Sequence, residues 1–228
     1  MCGIAGMLAA ELAAAPDMEA VQRMCDAMVH RGPDDHGYFR DGPCALGHRR
    51  LSIIDLRPEA AQPMTNEDDS IAVIVNGEIY NFQALRRELE RKGHTFKSRS
   101  DSEVVVHLYE EEGVDFLDRL RGMYAIALWD GPRKRLVLAR DRFGKKPLFY
   151  HVGADGLVFA SELGALAASG HFERRPDIDA IDAFLCLQYV PSPLTGFTGV
   201  RKLPAGSRLV CEGGRIGEPK PYFRLRFD

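Results

Sequence analysis

Apolar residues fall into short dense runs along the chain, separated by polar stretches rich in turn residues. The first run, Cys2 to Leu8, predicts a short buried strand. Asp17 then precedes Val21, Met24, Cys25 and Met28, which recur at helical spacing, so an amphipathic helix capped by Asp17 is expected. His30 to Gly37 is dense in charges and turn residues and reads as a loop. Cys44 to Leu56 alternates into a strand, and the β-branched run Ile71 to Val75 predicts a strand buried on both faces. It ends at Asn76-Gly77, read as a strand-to-helix turn, because Phe82, Leu85 and Leu89 share one helical face behind Asn81 as cap. Another helix carries Val104, Val105 and Leu108, capped by Ser100 or Asp101, with Glu103 closing a capping box from Ser100.

Met123 to Asp130 and Leu136 to Arg140 predict strands joined by a turn at Gly131-Pro132, and two more strands end at Phe159 to Glu162. Strands alternating with few helices suggest a mixed layered domain over residues 2–175. From about Arg174 the character changes. Pro176 and Asp177 open a helix with Ile178, Ile181, Phe184 and Leu185, followed by Pro191-Ser192-Pro193 and a short strand pair around Arg208 to Ile216. This tail has too few apolar residues for a core of its own, so 176–228 is expected to be a connector.

Composition narrows the classes. The 228 residues suit one large domain, or one domain with a small appendage. A net charge of -3 offers no basic field for nucleic acid or an anionic membrane. No apolar run reaches the roughly 20 residues that span a bilayer, and no basic region precedes the first apolar segment. Five scattered cysteines form no CxxC pair and no Cys/His cluster with metal spacing. No metal is expected, and free thiols in a reducing cytoplasm are.

Candidate chemistry starts at Cys2. Losing Met1 would place a thiol and a free α-amine on one Cα. The thiol is a strong nucleophile that needs a base. An α-amine, with an ordinary pKa of about 7.7–8.0, can take or relay that proton. The alternative is an ordinary buried strand cysteine. Arg49 and Arg50 point to opposite faces of their strand, so either one is buried facing a carboxylate or both are exposed on an edge. Asn76-Gly77 is either a hairpin turn or an amide and a backbone N–H that together bind an oxyanion. Asp101 is either a helix cap or the receiver of a ligand ammonium.

Together these motifs resemble a known family. Cys2-Gly3-Ile4-Ala5-Gly6, Arg31-Gly32-Pro33-Asp34, His48 to Ile53, Asn76 to Asn81, Ser100 to Glu103, Ala139 to Gly144, Lys146 to Tyr150 and Phe159 to Glu162 occur in the order found in the glutaminase domain of glutamine-hydrolysing asparagine synthetases. The resemblance implies a class II (N-terminal-nucleophile) amidotransferase with an α+β fold, a four-layer αββα sandwich of two mostly antiparallel sheets. It implies Cys2 as nucleophile, with Asn76 and Gly77 holding the oxyanion. Arg50, on a strand with Leu51, Ser52, Ile53 and Ile54, would take the carboxylate of L-glutamine, and Asp101 with Glu78 its ammonium. It implies no cofactor for this half. ATP and Mg belong to a synthetase domain, in cis or in trans, whose pyrophosphate loop has no counterpart in this sequence. A homodimer is admitted, and the ammonia acceptor, aspartate in that family, is not readable. Two alternatives stay open: an amidotransferase half with another acceptor, and a non-catalytic amino-acid sensor.

Overall fold

The computed structural model describes residues 1–225. The first half of the chain contains β1 (Gly3–Ala9), α1 (Met18–Asp26), β2 (Asp35–Asp41), β3 (Cys44–Arg50), β4 (Met64–Thr65), β5 (Ile71–Ile79), α2 (Phe82–Arg91) and α3 (Val104–Glu112). The next elements are β6 (Gly122–Asp130), β7 (Arg135–Arg140), β8 (Phe149–Gly153), β9 (Gly156–Ala160) and α4 (Leu163–Ala168). Last come α5 (Ile178–Leu187), β10 (Val200–Lys202), β11 (Ser207–Glu212), β12 (Arg215–Ile216) and β13 (Lys220–Pro221).

The strands build two antiparallel sheets. One has the order β10-β8-β9-β1-β3-β2; the other runs β12-β11-β7-β6-β5-β4, with β13 also paired to β11. The alternation within single strands explains the layering. Ala72 and Ile74 of β5 meet Ile4, Leu8 and Leu46 of the first sheet in a core between the sheets. Val73 and Val75 point the other way and pack under Leu85, Leu89 and Val104 to Val106 of α2 and α3. On the first sheet, Ala5, Met7 and Ala45 face Val21 and Met24 of α1, Met28 just beyond it, and Leu166 of α4. Helices therefore cover both outer faces, giving the expected αββα order. This is why Ile71 to Val75 reads as continuously apolar although its sheet is antiparallel.

Several local expectations change. Asp17 caps α1 as expected, accepting from the Ala20 N–H at 2.9 Å. The loop expected at 30–37 holds as far as Asp34, and Asp35 to Gly37 instead begin β2, whose polar sequence suits the edge of a sheet. The strand expected over Cys44 to Leu56 stops at Arg50, so Leu51 to Ile54 are loop. Asn76-Gly77 is not a turn: β5 runs through it to Ile79, paired with β6. Gly77 is demanded there by backbone proximity, since a Cβ would lie 2.1 Å from the Met123 carbonyl oxygen. Asn81 caps no helix with its side chain, which instead bridges the Arg119 carbonyl and the Arg121 N–H. The capping box is absent too. Glu103 reaches back to the Lys97 and Ser98 N–H groups rather than toward Ser100. The stretch 176–228, expected as a connector, contributes β10 and β11 to the two sheets through pairing with β8 and β7.

Candidate active site

A cleft opens at the N-terminal end of β1. Cys2, Arg50, Leu51, Ser52, Ile53, Ile54, Asn76, Gly77, Glu78 and Asp101 all line it. The structure thus brings every sequence-predicted site residue to one place, from segments up to a hundred positions apart. Met1, Gln62, Ser100 and Lys146 line it as well, none of them expected at the site.

The N-terminus is held by motif residues acting as ties. The Arg31 guanidinium donates from Nε to the Cys2 carbonyl at 3.0 Å and is itself held by Glu162 at 2.7 Å. Ser161 pairs with Ile4, accepting its N–H on Oγ and donating its own N–H to the Ile4 carbonyl. Gly32 packs so close to the Arg49 backbone that a Cβ would lie 2.4 Å from its carbonyl carbon. Asp34 accepts from the Ser52 N–H at 2.8 Å. Arg31-Gly32-Pro33-Asp34 and Phe159 to Glu162 therefore fix where Cys2 sits. The Leu51 N–H donates to the Cys2 sulfur at 3.4 Å, which helps to orient the thiol. Met1 also lines the cleft, its amine donating to the Arg31 carbonyl and its sulfur 3.3 Å from Lys146 Nζ.

Arg50 is buried on the inner face of β3. Its Nη2 donates to the Asp55 carbonyl at 2.6 Å and to the Arg57 carbonyl at 3.1 Å, which locks the guanidinium plane. The loop bearing those carbonyls is pinned by Asp55, which accepts from Arg57 Nη2 and the Arg99 N–H. The Arg57 guanidinium chiefly holds the Asp55 carboxyl well below the usual carboxylate range. Leu51 to Ile54 are thus ordered without being a strand.

On the opposite wall, alternation along β5 sets up a donor. The Val75 N–H goes to Gln62 Oε1 at 2.6 Å and the Ile79 N–H to Asp101 Oδ2 at 2.7 Å. Successive N–H groups of a strand alternate edges, so the Gly77 N–H faces the same edge, between them, where the cleft lies. The Asn76 side chain is fully buried, and among the described residues neither its nitrogen nor its oxygen has a hydrogen-bond partner. A buried amide without partners costs about 1–3 kcal/mol and is rarely left so without use.

Asp101 is buried and caps nothing; its carboxylate holds the β5 backbone instead. Burial raises its pKa, opposed by the Ile79 N–H and its own backbone, and the Glu78 carboxylate adds to the rise. His48, beside Arg50 on the inner face, is fully buried with both ring nitrogens unpartnered. Burial, against a weaker opposing contribution from the Val75 backbone, pushes its pKa down to about 3. It is neutral at working pH while the unfolded chain protonates near 6.5. Its contribution to stability is therefore lost as pH falls from about 6.5 toward 3. In that window the slope of unfolding free energy against pH should be shallower in His48→Gln by up to about 1.4 kcal/mol per pH unit. Urea titrations at several pH values check this, and an unchanged slope contradicts it.

Both the fold and the sequence have known counterparts. The structure superposes on glutamine phosphoribosylpyrophosphate amidotransferase from B. subtilis with a TM-score of 0.73, at 20% identity over 98% of this chain and 50% of that one. The two proteins therefore share the αββα sandwich architecture. A glutamine amidotransferase domain model matches residues 1–223, and the chain belongs to that family. It is 47% identical to asparagine synthetase (glutamine-hydrolysing) 2 of Bacillus subtilis (strain 168), over 77% of this chain and 23% of that protein. It is 39% identical to asparagine synthetase (glutamine-hydrolysing) 1 of the same organism, over the whole chain and 36% of that protein. The chain thus spans about a quarter to a third of the length of these curated relatives.

Proposed function

We propose that the chain hydrolyses the side-chain amide of L-glutamine and delivers ammonia to a synthetase domain that forms asparagine from aspartate with ATP. The observation that carries this reading is the cleft itself. It places the Cys2 sulfur with an orphaned Asn76 amide, a buried arginine and a buried carboxylate. Removing Met1 frees the Cys2 amine to act as base and clears a side chain from the cleft lining. The thiolate attacks Cδ of glutamine, and the oxyanion settles between the Asn76 amide and the Gly77 N–H. Arg50 takes the α-carboxylate, and Asp101 with Glu78 the α-ammonium, so only the amide is free to react. Protonated by way of the α-amine, ammonia leaves. Water then cleaves the γ-glutamyl thioester to glutamate and regenerates the thiol. These steps use side chains, the Cys2 amine, the Gly77 N–H and water.

An adjoining domain is supported by α5. Ile178, Phe184, Leu185 and Leu187 are each more than half exposed on it, a concentration of large apolar side chains that suits a protein partner. Glutamate release from glutamine by this chain tests the reading, and an absence of glutamine-dependent glutamate would overturn it.

The pH profile offers a sharper check on Asp101. Ammonium binding needs the carboxylate ionised, and its pKa is raised. The KM for glutamine should therefore climb as pH falls through a window above the ordinary aspartate range. Glu78→Gln removes the neighbouring negative charge and should move that acid limb to lower pH. A limb that stays in place would remove Asp101 from the binding role.

A further inference from the structure

Outside the cleft, three separate stretches converge beside α3. His107 and Glu110, three residues apart, share one face of the helix. Glu67, following β4, and His94, following α2, close on them. His107 Nδ1 lies 3.2 Å from Glu110 Oε2 and 3.4 Å from Glu67 Oε2. His94 Nδ1 lies 3.3 Å from Glu67 Oε1 and 3.7 Å from Glu110 Oε2. One donor atom from each of the four residues falls within 4.8 Å of the others. A tetrahedral ion with ligands at about 2.0–2.2 Å needs ligand–ligand edges of about 3.3–3.6 Å. The four nitrogen–oxygen separations, which engage both Glu67 oxygens and Glu110 Oε2, straddle that range.

The far ring nitrogens point at a second ring of carboxylates. His94 Nε2 is 3.1 Å from Glu111 Oε1. His107 Nε2, buried and without a hydrogen bond, is 3.9 Å from Glu103 Oε1. Such outer carboxylates hold the proton on the far nitrogen of a metal-binding imidazole and leave the near lone pair for the ion. They are anchored themselves, Glu111 by Lys92 at 2.7 Å and Glu103 by the Ser98 N–H at 2.7 Å. The two ring centroids are 4.9 Å apart, and a divalent cation between the rings balances the carboxylates of Glu67 and Glu110.

We propose that Glu67, His94, His107 and Glu110 bind a divalent transition-metal ion of the zinc class, tying α3 to the segments after β4 and α2. Four protein ligands make the site structural rather than catalytic. Spacing along the chain could not reveal it, because the donors sit in three stretches and form no Cys/His motif.

The test uses chelator-stripped chain re-equilibrated with zinc chloride near neutral pH, desalted, and analysed for metal. Cys2→Ala in every sample removes a competing thiol. About one zinc per chain should be retained, with affinity at least tenfold weaker in both His94→Ala and Glu67→Gln. Cobalt substitution should give the visible bands of a tetrahedral ion, absent in both variants. Circular dichroism matching the stripped parent shows that the variants fold. Failure of the parent to retain zinc, or equal retention by both variants, would overturn the site.

Discussion

Replacing Cys2 with alanine is expected to abolish glutamine hydrolysis while leaving the sandwich folded. The residue precedes β1, and its sulfur makes only two weak contacts, both with the Leu51 backbone. Its loss removes little packing, so thermal stability should move by less than about 1 kcal/mol. The chemistry has no substitute. The other cysteines are Cys25, Cys44 and Cys211, which are buried, and Cys186 on α5; none lines the cleft. Burial pushes the Cys25 thiol up to about 12, far from a working nucleophile. A steady-state glutamate assay beside a melting curve checks both halves, and turnover surviving in the alanine variant would remove Cys2 from the mechanism. Blocking Met1 removal should silence the protein equally, because an amide nitrogen at Cys2 is no base.

Asn76→Ala should separate function from stability in the other direction. The amide is fully buried and has no hydrogen-bond partner among the described residues, so deleting it breaks none of their hydrogen bonds and relieves an unmet desolvation cost. Melting temperature should hold or rise. If the amide is one of two oxyanion donors, kcat should fall about 10²–10³-fold. Gly77→Ala makes the opposite contrast. Its new methyl would lie 2.1 Å from the Met123 carbonyl oxygen, so β5 and β6 must part and stability itself should drop. Unimpaired kcat in Asn76→Ala would leave the oxyanion without that partner.

What the sequence carried, and what it did not, follows from the layering. Strands in this sandwich are buried on both faces, so the apolar runs of β1, β5 and β6 were plain. The polar continuation of β5 through Asn76 to Ile79 was not, because Asn-Gly is a turn signal wherever the chain can turn. Pairing with β6 and the Asp101 carboxylate on the Ile79 N–H keep it extended. β2 was hidden for a related reason. As a sheet edge it is under no pressure to be apolar, and its sequence looks like loop. Asp101 followed cap spacing but serves the β5 backbone, a contact no local pattern encodes. The residue types at the cleft were legible through family resemblance, whereas their convergence is tertiary. So are the ties from Arg31 and Glu162 that aim the N-terminus.

The central claim is that a Cys2 freed of Met1 carries the γ-glutamyl group. Rapid acid quench of the chain with glutamine, followed by peptide mass spectrometry, observes that group directly. The account predicts a glutamyl thioester on an N-terminal peptide that begins at Cys2. An adduct on any other residue, or equal turnover by chain that retains Met1, would contradict it.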